Sequence, residues 1–157
     1  MAIGTSEGST VFIGPVTNVT TLAALKALTG WVEIGDVESI GEFGPQKQDV
    51  SFTPLKGPSV QHLVGAVDNG MLPIVYAHNP LDAGQIALRA AAGTKFEYAV
   101  KIVLADEADE NDTPTTFYAR GPVFGNRINV GGANDVRKRT SNIGLNVFEE
   151  EPGAAVT

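Results

Sequence analysis

Two histidines, His62 and His78, are the side chains best suited to acid–base or metal-ligand work near neutral pH. Each lies inside a stretch that reads as a strand. A strand histidine at a barrel surface or subunit contact is the plainer reading, and the one adopted here. Asp106, Glu107, Asp109, Glu110 and Asp112 crowd five carboxylates into seven positions. A calcium loop needs ligands at fixed spacing, a turn glycine and a closing glutamate. This segment has none of that order and reads as a solvated loop. Gly131-Gly132 follows a strand, but the chain then enters another strand, whereas a dinucleotide loop must open a helix. No HExxH, GxSxG or phosphate-loop pattern is present. Asn18-Val19-Thr20 and Asn111-Asp112-Thr113 match glycosylation acceptors. Without a basic and apolar leader at the N-terminus they read as chance matches.

Zero cysteine removes disulfides, thiolate zinc sites, iron–sulfur clusters and thiol nucleophiles from consideration. The net charge of −7 is unevenly placed. Setting aside the five acids of 106–112 and Glu149, Glu150 and Glu151 leaves ten acids against eleven bases. A nearly neutral body gives no basic footprint for tight nucleic-acid binding. Its one basic run, Arg137-Lys138-Arg139, reads as a solvated strand face. The sequence therefore points to no enzyme, no cofactor and no metal.

The elements that would position these residues are short. With 157 residues, 43% of them hydrophobic, one domain with a proper core is expected. No apolar run reaches the length of a membrane span. Residues 1–9 read as a Gly/Ser/Thr arm, and 149–157 as a C-terminal tail. A strand is expected at Thr10–Val16, and Trp31–Ile40 reads either as one strand bulged at Gly35-Asp36 or as two short strands. Further strands are expected around Val50–Thr53, at Ser59–Val64 and at Leu72–His78, with Asp68-Asn69-Gly70 as a hairpin turn between the last two. Lys95–Leu104 alternates cleanly. Thr115–Arg120, Val123–Val130 and Asp135–Phe148 complete the set, punctuated by Gly121-Pro122 and the segment 131–134. Two helices are expected. Thr20–Thr29 carries Leu22, Leu25 and Leu28 at helical spacing. Ala83–Ala92 has Asp82 three residues before Gln85, the spacing of a reciprocal N-terminal cap. This is too little helix for a βαβ alternation. It predicts a mainly β, antiparallel sandwich or barrel with one flanking α-helix and a second short helix.

The stretch WVEIGDVESIGEFG, then DVSFTPLKG, GAVDNGMLPIVYAHNPLDAGQIALRAAAGT and KFEYAVKIVL, resembles the major tail tube protein of long-tailed, non-contractile bacteriophages. The closing ARGPVFGNRINVGGANDVRKRTSNIGLNV is similar to that family's last strands. The likeness covers about residues 10–148 and is one of order and texture rather than of a single diagnostic motif.

The resemblance implies a structural virion protein. Subunits would form six-fold rings, and the rings would stack into a hollow tube that surrounds a tape-measure protein and later passes phage DNA without specific binding. Tail-tip and terminator proteins are the implied neighbours, and the virion tail, assembled in the host cytoplasm, is the implied location. The extra immunoglobulin-like domain of some relatives is missing, so no surface decoration is expected. A type VI secretion-like inner tube protein shares the architecture. A small β-barrel binding module or a carboxylate enzyme is the remaining alternative. On this reading the 41–58 loop, with Phe43, Phe52 and Leu55, is the expected ring-stacking element. An acidic or neutral channel wall would let DNA slide, whereas a basic one would hold phosphates. Glu33, Glu38, Asp49 and Glu97 are the strand acids that could line it.

Overall fold

The computed structural model describes residues 3–107 and 110–153. The strands are β1 (Thr10–Val16), β2 (Val32–Ile34), β3 (Val37–Ile40), β4 (Gln46–Phe52), β5 (Gln61–Asp68), β6 (Met71–Ala77), β7 (Glu97–Val103), β8 (Thr116–Asn129), β9 (Lys138–Gly144) and β10 (Val147–Glu151). The helices are α1 (Leu22–Lys26) and α2 (Ala83–Ala92). All strand pairings are antiparallel.

β8 joins two sheets. Its first half pairs β7 and β10, in a sheet ordered β2-β1-β7-β8-β10. Its second half pairs β9, in a sheet ordered β8-β9-β6-β3. The two sheets pack their inner faces together. Val11, Ile13, Val100 and Ile102 of the first sheet share one core with Leu72, Ile74, Tyr76 and Ile143 of the second. The mainly β sandwich with two helices is thus observed.

The second helix is framed as its sequence indicates. Asp82 caps it by accepting from the Gln85 N–H at 3.0 Å, and Gly93 ends it. The cap is not reciprocal, however. The Gln85 side chain donates to the carbonyls of Gly35 and Ala77 and accepts from the Asn79 N–H, so it ties α2 to both sheets. Leu88 and Ala91 complete the core.

Of the two readings of Trp31–Ile40, the two short strands are found, β2 and β3, with Gly35-Asp36 as the crossing between sheets and Asp36 at φ 58. Four expectations are corrected. Asp68-Asn69-Gly70 is a tight turn, with the Asp68 carboxylate accepting from the Gly70 N–H at 2.9 Å. It does not make a hairpin, because β5 pairs only β4 while β6 pairs β3 and β9. Gly121-Pro122 does not break β8. Gly121 is there because a side chain at that point would collide with the Gly144 carbonyl. The single strand expected over 135–148 is two, β9 and β10. Finally, Glu149–Glu151 do not belong to a free tail. They extend β10 against Tyr118, Phe117 and Thr116, anchored by Phe148 packed against the core. Residues 1–2 and 154–157, and Asp109 of the acidic loop, lie outside the described residues.

Candidate assembly interface

The two sheets differ in what covers their outward faces. The short helix α1 seats Leu25, fully buried, on Ala99 and Tyr118, with Leu22, Leu28, Trp31 and Val147 around it. Thr21 caps this helix by accepting from the Ala24 N–H at 3.2 Å. The first sheet is therefore covered on both sides. The outward side of the second sheet carries Met71, Pro73, Val75 and Ala77 from β6, Thr140 and Asn142 from β9, and Arg127 from β8, by the period of two against the inward Leu72, Ile74 and Tyr76. None of its apolar members belongs to either buried cluster.

The edges are open as well. Among the described residues, no strand pairs with the outer edge of β3 or with the outer edge of β8's second half. An open edge presents unpaired backbone donors and acceptors and is a template for another chain. Phe124 and Ile128 stand exposed along that part of β8, and Val130 just beyond its end.

The third unsatisfied region is the hairpin of β4 and β5, which pairs with neither sheet. Its register places Val50 opposite Leu63 and Phe52 opposite Gln61 on one face. Asp49 and Ser51 lie on the other with Val64 and His62. Val50, Phe52, Leu55, Val60, Leu63, Val64 and Val67 are all at least about half exposed, and Leu55 wholly so. A lone two-stranded hairpin is marginal in water, and this one leaves its apolar face bare.

The structure separates the three residues expected in the 41–58 loop. Phe52 and Leu55 lie on or beyond the hairpin strands. Phe43 instead packs edge-on to Phe117 and Phe148, with ring centroids 5.3 and 5.9 Å away, and secures the hairpin's base to the sandwich. The loop itself is longer than its turn residues suggested, since strand structure runs from 46 to 52 and resumes at 61.

The four candidate lumen acids are not brought together. Glu33 lies on β2, at the edge of the covered sheet. Asp49 is on the hairpin, 2.8 Å from His62. Glu97 is on β7, bonded to the Asn146 side chain and 3.8 Å from the Arg120 guanidinium. Only Glu38 reaches the bare face, and it is neutralised by Lys138 at 2.7 Å. The acids are scattered because they belong to three separate structural units, which period-two patterning within one strand does not reveal.

Neither histidine stands in a metal-binding group: among the described residues no set of three His, Cys, Asp or Glu could hold an ion. His78 Nδ1 accepts from Arg139 Nε at 3.0 Å. Burial, with the charges of Arg139, Arg137 and Arg89, keeps its pKa below the ordinary value of 6.5. Nothing local in the sequence signals this pairing, since His78 and Arg139 are brought together only by the β6–β9 register.

No protein-family model matches the sequence, and no curated protein matches it. Solved structures do match. A chain of the six-fold symmetrised anti-feeding prophage baseplate is similar over 97% of each chain, with TM-score 0.70 and 12% identity. The SPP1 tail tube is similar over 95% of this chain and 78% of that one, with TM-score 0.64 and 13% identity. A sheath/tube terminator chain of an extracellular contractile injection system gives 95% and 96% coverage, TM-score 0.67 and 10% identity. This chain has the tail-tube fold. Among the described residues, the outward face of the second sheet, its two outer edges and the hairpin are the surfaces that no other element covers.

Proposed function

We propose that this chain is a structural tube protomer of a phage-type tail. Copies close side by side through the second sheet into six-fold rings, and the rings stack into a hollow tube for DNA delivery. The observation that carries this reading is the second sheet itself: four strands with a bare outward face and two free edges.

Strand direction supports closure. The four strands alternate, so β3 and the second half of β8 run in opposite senses. A neighbour's β8 laid against β3 continues the antiparallel order without a defect, and repetition of that head-to-tail contact closes a ring. Charge favours the same contact: Glu42 lies just beyond β3, while Arg127 lies on the second half of β8. Six sheets make a barrel of about 24 strands. At about 4.8 Å per strand its circumference is roughly 115 Å and its diameter roughly 37 Å, before strand tilt widens it. The bare face would line that channel with Met71, Pro73, Val75 and Ala77 beside Thr140, Asn142, Arg127 and the Glu38–Lys138 pair. Such a wall is nearly neutral rather than acidic, with too little positive charge to hold phosphates strongly.

The hairpin would clamp the next ring through Val50, Phe52, Leu55 and Leu63, with Phe43 as its anchor. Its strands reach about 25 Å at about 3.4 Å per residue. A tape-measure protein inside the tube, terminator and tip proteins at its ends, and a place in the virion follow from this reading. Negative-stain microscopy of the concentrated protein tests it. Rings about 100 Å across, or tubes, are expected for six domains of roughly 15 Å gyration radius around a channel. A protein that stays monomeric at every concentration, with and without tail-tip protein, overturns it.

A further inference from the structure

Two groups of charges stand at opposite ends of β8. Beside its first residues stand Asp106, Glu107, Glu149 and Glu150, with Glu151 taken by Lys26 at 2.8 Å. Asp106 holds Thr115 through two bonds, at 2.8 and 2.6 Å, which keeps its carboxyl ionised below the usual range. Beyond its last residues, where β6 ends and β9 begins, stand Arg89, Arg137 and Arg139 around His78. None of these three arginines has an ion-pair partner among the described residues. Nearby acids are otherwise engaged: Glu38 with Lys138, Asp36 with the Asn79 amide, Asp135 with the Gly132 N–H.

The arginine end has only donors left to offer. Arg139 gives Nε to His78 and Nη1 to the Asn126 carbonyl oxygen at 2.9 Å. That bond turns the Asn126 oxygen toward Arg139, and the buried Asn126 Nδ2 has no hydrogen-bond partner. The site therefore takes acceptors, and negative ones best. The acidic end lies on the side from which the hairpin springs, because Phe43 at the hairpin base packs on Phe117 and Phe148, the neighbours of Glu149 and Glu150.

We propose that the protomer is electrostatically polar along β8, and that the Arg89–Arg137–Arg139 end of one copy receives Glu107, Glu149 and Glu150 of a copy in the next ring. The inference rests on the tube reading and adds its stacking direction: one mouth of each ring is acidic, the other basic. Like ends repel, so rings add in a single orientation.

Two double variants test it, each altering only exposed side chains: Arg89→Glu with Arg137→Glu, and Glu107→Lys with Glu150→Lys. Each alone is expected to keep rings but lose tubes by about tenfold or more, because like charges then meet across the junction. Tubes return when the two ring preparations are mixed, and when all four changes are placed in one chain. A double variant that stacks like the parent, or a mixture and quadruple variant that both stay as rings, overturns the proposal. Parent tubes give an independent reading. Their mass should fall as NaCl rises from about 0.05 M to about 1 M, where screening shortens to about 3 Å; a flat salt response also overturns it. Rings that form but ignore these charges refute only the stacking contact, whereas the absence of rings in the parent refutes the tube reading.

Discussion

The sandwich and the β4–β5 hairpin contain similar apolar residues and treat them oppositely. In the sandwich, Leu72, Ile74, Tyr76 and Ile143 are wholly buried, and even the Tyr76 hydroxyl has a partner in Ser141 at 3.2 Å. In the hairpin, Val50, Phe52 and Leu63 are each about half exposed with no second layer above them. Burial of a Val, Leu or Phe side chain gives about 1.5–3 kcal/mol. The sandwich uses that free energy to fold, whereas the hairpin's apolar face contributes none of it within the protomer; on the proposed reading a contact between copies would supply it. Substitutions in the two regions should therefore separate stability from assembly.

The largest loss of stability is expected at the crossing of the two sheets. Gly121→Ala places a methyl group against the Gly144 carbonyl, a backbone atom that cannot swing aside. The β8–β9 and β8–β10 pairings would have to part. A cost above about 4 kcal/mol is expected, read as failure to fold cooperatively in a thermal melt. Leu72→Ala follows. Its side chain has no exposure, so transfer and cavity costs should total about 2–5 kcal/mol in a denaturant titration.

A smaller effect is expected from pH. Burial first, and then Arg139, Arg137 and Arg89, hold His78 below its ordinary pKa of 6.5. The unfolded chain then binds the proton more readily than the folded one. The contribution is complete above pH 6.5 and is lost as pH falls through the folded value. Protonation also puts a hydrogen on Nδ1, where Arg139 now donates. The melting temperature should fall between about pH 7.5 and about pH 5. His78→Gln, which keeps an acceptor, should fall less over that range; equal slopes would remove His78 from the account.

The sandwich was legible where physics acts locally. Asp82, Gln85 and Gly93 delimit α2, and the alternation of Tyr98, Val100 and Ile102 marks β7, because caps and period-two burial are written in neighbouring residues. What depends on distant pairing was not legible. Gly121-Pro122 looks like a turn until Gly144 is laid beside it. Glu149–Glu151 look like a tail until β8 supplies their hydrogen bonds. The same holds for the interface. Phe52 and Leu55 read as apolar residues in a loop, and Val60, Leu63 and Val64 as part of an ordinary strand. Only the register against β4 shows that Leu63 joins Val50 and Phe52 on an apolar face with nothing above it. Phe43 was grouped with them by proximity in sequence, and the aromatic contacts with Phe117 and Phe148 draw it back into the body.

The smallest change in stability is expected where the consequence for assembly is greatest. Val50→Ser, Phe52→Ser and Leu63→Ser together strip the hairpin's bare face. The three side chains meet one another across β4 and β5 but touch neither core cluster. Their removal should leave the melting temperature of the dispersed protein within the range of ordinary surface changes, about 0.5 kcal/mol. Ring closure, carried by the edges of β3 and β8, should persist, while tube length collapses to single rings in the microscope. If the triple variant instead melts well below its parent, the hairpin face is packed within the protomer and the contrast between the two regions disappears. If it melts normally and still makes full-length tubes, the apolar face is not the stacking surface. Removal of residues 46–68, with the Gly44–Asn69 turn kept, makes the same distinction more severely, because it leaves the Phe43 anchor in place and deletes only the part that reaches outward.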